Sequence, residues 1–506
     1  MRRTEGLPQN TDTQPPNTSH GRHMTVGTLQ GFAAFSLSLP TGLLTAAFLS
    51  RHLGPENYGL LTVVSSIVVW VEGAITMGFG RTAIKFVAGA EDWRSVSTRF
   101  LQAQLLVSLI TVLVLLLIAP VLASGLKSNE LTGYLRLLAL GIPFTTLFLI
   151  HQSILIGRGF FGSRALMTAT YWISRMIFIL LFVWIWPSVT SAILGLIAPY
   201  ILGLIGSRFI INPKITGPSD FPIHHLWSFA LPLFFYAIAI SLFNRMDLFF
   251  VKGLIEDPQA AGFYSASQNL VLIPSLFLTS ISPLLLSKMT FLCATGKKAS
   301  ARLMIRNALR LTFAALPLAG VAAGMAGELV SLIYGPAFFP AGPILRILIF
   351  SAIGLSLIVV STSAILTANR PELTFRLILP VVISSFFVYA IIIPRFGSTG
   401  AAWVTTVLSW IGAVGFIIAV YQLWQTGLPT GTVIRSIIIS IPAYTLAFSW
   451  HATGFMILLK LPVLSALVIA ALLLSGECRI DEIAFLRSVF QSKQRKYPLK
   501  KKEVEL

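Results

Sequence analysis

Long apolar runs, separated by short polar stretches, follow one another along nearly the whole chain. Each run has about the 20 residues that a helix needs to cross a membrane. None shows the short alternating segments of a membrane barrel. The pattern predicts about fourteen transmembrane helices, at residues 25–50, 58–80, 100–123, 133–157, 165–187, 190–211, 225–252, 262–288, 305–326, 343–368, 372–393, 398–424, 432–451 and 453–475.

Similar segments recur about 210 residues apart, which indicates an internal repeat. Arg136 and Arg346 match in LRLLALGIPFTTLFLIHQSILIGRG and LRILIFSAIGLSLIVVSTSAILTANR, and Gly59 and Gly262 match in PENYGLLTVVSSIV and PQAAGFYSASQNLV. The offset spans six helices, so both copies enter the membrane from the same side, as parallel repeats of transporters do. We therefore expect an all-α polytopic membrane protein with two six-helix bundles around a central cavity and two further C-terminal helices.

The helix pattern and the polar termini divide the chain into six parts. The first 23 residues are polar and rich in Pro, Asn and Thr, which is typical of disorder. The predicted parts are a disordered cytoplasmic tail (1–23), an N-terminal six-helix lobe (24–212), a cytoplasmic linker (213–224), a C-terminal six-helix lobe (225–424), two additional transmembrane helices (425–475) and a basic cytoplasmic tail (476–506).

The low content of charged residues agrees with a membrane location, and the distribution of Lys and Arg predicts the orientation. Charged residues make up 11% of the chain, against about 25% in soluble proteins. With both termini in the cytoplasm, the positive residues in outside loops are only Arg51, Lys127, Lys252 and Arg395 among 37 Lys and Arg. The net charge of +19 therefore reflects the positive-inside rule and not a nucleic-acid partner, since no recognition motif accompanies it. The two cysteines form no metal-binding pattern.

Two ionisable residues lie deep inside predicted helices, where a charge is costly and usually faces a cavity or a partner. Arg175 lies near the middle of the fifth helix. Glu72, in VVWVEGAITMGFG, is the only acidic residue deep in the second helix. Two roles fit Glu72: binding of a coupling proton or sodium ion, and neutralisation of an arginine, which is the simpler role.

Five further charged residues lie at or near helix ends. Arg245 and Asp247, in SLFNRMDLFFVKG, are two apart on one helix and so do not pair directly. Either they reach the outer interface, or Arg245 lines the central cavity and attracts an anionic group. The repeat-related Arg136 and Arg346 have the same two interpretations. Arg81, in GFGRTAIKFVA, is one more cavity candidate.

Four stretches between about Met24 and Trp424 resemble bacterial polysaccharide exporters of the multidrug/oligosaccharidyl-lipid/polysaccharide (MOP) exporter superfamily. They are RHLGPENYGLLTVVSSIVVWVEGAITMGFGRTAIKFVA, NRMDLFFVKGLIEDPQAAGFYSASQNL, LIYGPAFFPAGPILRIL and IPRFGSTGAAWVTT. The resemblance implies a multi-pass protein of the bacterial inner membrane that flips an undecaprenyl-diphosphate-linked oligosaccharide for O-antigen, capsule or exopolysaccharide synthesis. Implied partners are the lipid-linked substrate, the membrane, and polymerase and chain-length proteins. No cofactor is implied beyond a coupling proton or sodium ion.

One departure bears on the substrate. Lipid II flippases of the superfamily carry a functional arginine in the first helix, whereas TVGTLQGFAAFSLSLPTGLLTAAFLS has no charge, which favours a polysaccharide repeat unit. The alternative function is a cation-coupled multidrug exporter, for which acidic cavity residues would be expected. A membrane-embedded polymerase or ligase would need a large outside loop, and the chain has no catalytic motif, so we expect no enzyme.

Overall fold

The computed structural model describes residues 30–476 except 32, 216, 220, 225, 228–229, 232–233, 235–244, 280, 369, 428, 453 and 455. Every regular element in this part is helical, as predicted. Helices satisfy all backbone hydrogen bonds within one segment, which the interior of a membrane requires. Ten stretches of the described residues are long and apolar enough to cross a membrane. The all-α class is thus confirmed, and the count of fourteen stays a prediction.

The chain packs into two compact units, Met1–Gly262 and Phe263–Leu506. The helices described in unit 1 are α1 (Ser38–Ala88), α2 (Trp93–Gly125), α3 (Glu130–Ala139), α4 (Ile142–Gly157), α5 (Phe161–Ile185), α6 (Val189–Ile210) and α7 (Met246–Leu254), and α8 (Ala260–Thr279) begins there. Those of unit 2 are α9 (Ile281–Ala294), α10 (Lys298–Ala314), α11 (Leu316–Gly324), α12 (Ala326–Tyr334), a 3-10 turn (Pro336–Ala341), α13 (Gly342–Thr367), α14 (Pro371–Trp424), α15 (Thr430–Ser449) and α16 (Met456–Leu474).

Two helices bend sharply at a glycine where the sequence predicts a loop between two segments. In α1, Gly54 has φ 73° and ψ 174°, and in α14, Gly397 has φ 60° and ψ −148°. A residue without a Cβ adopts these angles at little cost. The first and second predicted segments therefore continue as one bent element, as do the eleventh and twelfth. These junctions are one reason why the described stretches are fewer than the predicted segments.

Two glycines of α6 bring the helices of unit 1 close together. A Cβ on Gly195 would lie 2.7 Å from the Cα of Ile179 on α5, and one on Gly203 would lie 2.6 Å from the ring of Phe148 on α4. Only a residue without a side chain permits such approaches, as small residues do at membrane helix interfaces. The polar residues of α4, α5 and α6 consequently lie near one another.

The two C-terminal helices belong to the core of unit 2. α15 and α16 pack on α11 through a cluster that includes Val321, Met325, Ala447 and Leu464. The backbone of α15 comes close enough that a Cβ on Gly324 would lie 2.7 Å from the carbonyl oxygen of Tyr444. These helices are thus a firmly packed part of the unit.

Several predicted segments fall on residues that the structure does not describe. The tail 1–23 and all but the first residue of 476–506 lie outside the described part, and the predicted seventh helix, 225–252, is described only in part. The predicted division of the chain into lobes, linker and tails stays a prediction.

Candidate functional site

Five polar residues from four helices of unit 1 come together around Glu72, and we call this group the Glu72 cluster. Its members are Glu72 on α1, Thr145 on α4, Tyr171 and Arg175 on α5, and Tyr200 on α6. Glu72 is 8% exposed and Thr145 is 1% exposed, and the other three are half-buried. The Thr145 hydroxyl lies within hydrogen-bonding reach of the Glu72 carboxyl, and the charge of Arg175 acts on that carboxyl.

The two tyrosines of the cluster are joined to each other. The Tyr171 hydroxyl donates to the Tyr200 hydroxyl at 2.7 Å, and their ring centroids are 4.8 Å apart. The Phe148 ring lies beside both, with centroid distances of 5.9 Å and 6.2 Å. Tyr200 is also near enough to Glu72 and Arg175 to interact with both charges. The tyrosine pair therefore lines one side of the cluster, with its hydroxyls beside the charged groups.

Arg175 is the cationic member of the cluster. It is the fifteenth of the 25 residues of α5 and lies one turn after Tyr171, so both side chains share a helix face. Its guanidinium carbon is 5.4 Å from the centroid of the Trp172 ring. Its buried Nε makes no hydrogen bond to the described part of the chain. The guanidinium thus lies against an aromatic face, within electrostatic reach of Glu72, and keeps one donor unused.

Arg245 and Asp247 lie where α7 begins. Arg245 is the residue before the helix and is half-buried, and Asp247 is 5% exposed. The Asp247 carboxylate accepts a hydrogen bond from its neighbour's backbone, the N–H of Leu248, at 2.8 Å. A carboxylate in a first helical turn is stabilised by the N–H groups that lack helical partners. The Asp247 carboxylate therefore stabilises the first turn of α7 in the structure, while its cavity role stays a prediction.

The repeat-related arginines have different surroundings. Arg136 is exposed, and its Nε donates to the carbonyl oxygen of Leu116 at 3.3 Å. Arg346 is half-buried, with its guanidinium carbon 5.0 Å from the centroid of the Phe448 ring on α15. Phe448 lies on α15, one of the two helices that the sequence predicts in addition to the repeats. Contact of Arg136 or Arg346 with a substrate stays a prediction.

Two other polar residues of unit 1 lie apart from the Glu72 cluster. Arg81 is exposed on α1, further along that helix than the buried Glu72, and its cavity role stays a prediction. His151 is fully buried, and its Nδ1 lies 2.7 Å from the carbonyl oxygen of Leu147, one turn earlier in α4. This backbone contact is a structural role for His151.

A buried ion pair in unit 2 was not anticipated from the sequence. The Lys460 ammonium on α16 lies 2.7 Å from the Glu328 carboxylate on α12, with side-chain exposures of 0% and 21%. Lys460 also donates to the carbonyl oxygen of Trp450, and Glu328 accepts from the N–H of Ala452 at 3.2 Å. The sequence holds one signal for this pair, which is that acidic residues are rare in this part of the chain. Glu328 and Glu372 are the only acidic residues between 263 and 476.

Comparison with known proteins supplies the family. The sequence model of the polysaccharide biosynthesis protein family matches residues 48–343, which is more than half of the 506-residue chain. The chain belongs to this family. A Shigella flexneri protein named "Putative O-antigen transporter" is 25% identical in an alignment of 261 positions, which covers 47% of this chain. The chain spans 60% of the length of that relative.

Solved structures show which fold this member of the polysaccharide biosynthesis family has. The lipid II flippase MurJ in an inward closed conformation aligns with a TM-score of 0.67 and 18% identity, over 92% of this chain and 100% of MurJ. An inward-facing MATE multidrug resistance transporter of the MOP superfamily aligns with a TM-score of 0.63 and 14% identity, over 78% and 99%. The fold is therefore that of MOP-superfamily transporters. The chain has the apolar helices of a multi-pass membrane protein, and the relatives named here are transporters.

Proposed function

We propose that this protein flips a polyprenyl (undecaprenyl) diphosphate-linked oligosaccharide across the bacterial inner membrane for polysaccharide biosynthesis, by alternating access with a cationic cavity. The polysaccharide biosynthesis family supports the substrate class, and the transporter fold supports the mode of action. The observation that carries the proposal is the placement of Arg175 deep in a membrane-length helix, beside tyrosine hydroxyls and with an unused donor.

Arginine is suited to binding a diphosphate in such a place. Its planar guanidinium offers parallel N–H donors to phosphate oxygens and stays charged in a low-dielectric environment. In our proposal the diphosphate takes up the free donor of Arg175, and the tyrosine hydroxyls contact phosphate or sugar oxygens. The polyprenyl chain remains in lipid throughout. Arg245, Arg136, Arg346, Arg81 and Asp247 are the further candidates for the path of the head group.

Glu72 fits a role in coupling. In our proposal it binds the driving proton or sodium ion, and loss of its negative charge frees Arg175 for the diphosphate. A purely neutralising role for Glu72 makes a different prediction. The two roles are separated by measuring flipping of the lipid-linked oligosaccharide in proteoliposomes under an imposed proton or sodium gradient. If Glu72 couples transport to the ion, Glu72→Gln abolishes the dependence of flipping on the gradient. If Glu72 only neutralises Arg175, that dependence persists. Gradient-dependent flipping by Glu72→Gln would leave Glu72 with the neutralising role.

The proposed substrate is tested first in cells that lack the protein. Mass spectrometry of inner-membrane extracts should show accumulation of an undecaprenyl-diphosphate oligosaccharide. An impermeant lectin should fail to reach that oligosaccharide from outside, and restoring the gene should clear it. A lipid-linked pool that is unchanged, together with altered sensitivity to cationic dyes, would refute the proposal and favour a multidrug exporter. Loss of polymerase or chain-length proteins should leave flipping itself intact.

A further inference from the structure

A line of basic residues runs along α10 toward an apolar groove in unit 2. Arg302 and Arg306 are exposed, and Arg310 continues the line at the same four-residue spacing, which places all three along one side of the helix. Phe313 follows on that side, at about the same angle as Arg302 and Arg306, and forms part of the groove wall. Positive charge and an apolar surface therefore meet on a single helix.

The groove lies where α10, α14 and α15 come together and has a volume of about 370 Å³. This volume is within the roughly 300–1,000 Å³ of ligand clefts. Apart from Thr430 its wall is apolar and includes Trp410, Val414, Ile418 and Val433.

One residue of the groove wall is hydrogen-bonded in place, and other wall residues are exposed. The indole Nε1 of Trp410 donates to the carbonyl oxygen of Phe350 at 3.2 Å, and the Phe313 and Trp410 ring centroids are 6.4 Å apart. In contrast, Val414 is 53% exposed and Ile418 is 50% exposed. An open apolar groove of this kind accepts a flexible hydrocarbon chain.

We propose that this groove holds an acyl chain of an anionic phospholipid of the cytoplasmic leaflet, with its phosphate on the arginines of α10. The positive charge of the basic line favours a head group with a net negative charge, because the phosphate of a zwitterionic lipid is offset by the cation of the same head group. The predicted orientation places the start of α10 at the cytoplasmic surface, where anionic lipids attract basic residues. This lipid site is independent of the oligosaccharide substrate.

The test is native mass spectrometry of the purified full-length protein with phosphatidylglycerol or phosphatidylcholine of identical acyl chains. We expect phosphatidylglycerol to remain bound at about tenfold lower concentration than phosphatidylcholine. The variant Arg302→Gln/Arg306→Gln should bind phosphatidylglycerol about tenfold more weakly or worse, since each basic residue near an anionic surface contributes about 1 kcal/mol. Its phosphatidylcholine binding should not change. The matched control Arg370→Gln/Arg395→Gln removes two exposed charges, neither of them on α10, and should bind both lipids like the wild type.

The groove itself is tested by Val414→Trp, which fills it and should weaken binding of both lipids while the arginines remain. Thermal unfolding of each variant checks that the fold persists. Any of the following results in the lipid comparison would overturn the proposal: equal affinity of the wild type for the two lipids, full phosphatidylglycerol binding by the arginine variant, or an equal loss in the control. Displacement of phosphatidylglycerol by an equal concentration of polyprenyl diphosphate would assign the groove to the cargo and also overturn it.

Discussion

At the scale of single residues, rarity of charge was the useful signal in the sequence. Arg175 and Glu72 stand out because an ionisable residue inside an apolar run is unusual, and the structure brings them into one cluster. Thr145, Tyr171 and Tyr200 carry uncharged hydroxyls that are common in membrane helices. Which of them meet depends on how four helices pack, and the sequence pattern does not contain that information.

Replacing Arg175 separates charge from geometry. Arg175→Ala should stop flipping, whereas Arg175→Lys keeps the charge and loses the two parallel hydrogen bonds. One charge-assisted hydrogen bond is worth about 1.5–3 kcal/mol, so we expect Arg175→Lys to flip about 10- to 100-fold more slowly. The measurement is the ratio of accumulated lipid-linked oligosaccharide to exported polymer. Arg395→Lys serves as the control, and a wild-type ratio for Arg175→Ala would remove this residue from the substrate path.

Arg245 is a separate prediction at this scale. If it contacts the diphosphate, Arg245→Ala should block export while the protein remains at normal levels in the membrane. Immunoblotting of membranes beside the polymer assay distinguishes loss of function from loss of protein. Full export by this variant would show that Arg245 only reaches the interface.

The buried pair of Lys460 and Glu328 should stabilise the protein in a way that depends on both partners. Lys460→Met leaves Glu328 without its cation, and breaking a buried pair costs about 3–5 kcal/mol. The double variant Lys460→Met/Glu328→Leu removes both charges and should recover much of that loss. Thermal unfolding in detergent is the measurement.

The exposed pair of Arg370 and Glu372 is the matched control for that experiment. Its atoms are 3.7 Å apart, and its side chains are 62% and 47% exposed. Because exposed pairs contribute about 0–1 kcal/mol, Glu372→Gln should leave the unfolding temperature almost unchanged. A double variant no more stable than Lys460→Met alone would contradict the pairing.

At the scale of helices, the apolar pattern predicts where helices form better than where they bend or touch. The predicted segments 100–123, 165–187 and 190–211 correspond to α2, α5 and α6, because runs of this length have only one way to satisfy their backbone in lipid. The continuation of α1 through Gly54 was not predicted. A glycine followed by a proline is found both where a helix ends and where a helix bends, so the sequence does not distinguish the two.

The repeat-related glycines Gly59 and Gly262 test close packing between helices in unit 1. A Cβ on Gly262 would lie 2.0 Å from the carbonyl oxygen of Pro55, and one on Gly59 would lie 2.6 Å from the backbone nitrogen of Gly262. Because both obstacles are backbone atoms, the helices must separate. Gly262→Ala should therefore destabilise the protein by about 1–3 kcal/mol or more.

The control for this substitution is Gly73→Ala, on the same helix α1 as Gly59. A Cβ there would meet nothing within 4 Å, and alanine favours a helix over glycine by about 1 kcal/mol. We expect unchanged or slightly raised stability. Membrane protein level and unfolding temperature report the difference, and equal behaviour of Gly262→Ala and Gly73→Ala would contradict the tight contact.

At the scale of the whole molecule, the distribution of Lys and Arg predicts the orientation, with both termini in the cytoplasm. The prediction is tested by single cysteines in a chain whose Cys293 and Cys478 are first replaced by serine. Asn129 is exposed in a predicted outside loop and makes no side-chain cap bond. Gly427 is exposed in a predicted inside loop, and a Cβ there would meet nothing within 4 Å.

An impermeant thiol reagent should label Asn129→Cys in intact spheroplasts and Gly427→Cys only after the membrane is opened. The reason is electrostatic, since positive loops are retained on the side from which the chain is inserted. The reverse labelling pattern would invert the topology and would place the basic line of α10 in the outer leaflet. The anionic lipid of the cytoplasmic leaflet would then have no access to its proposed site.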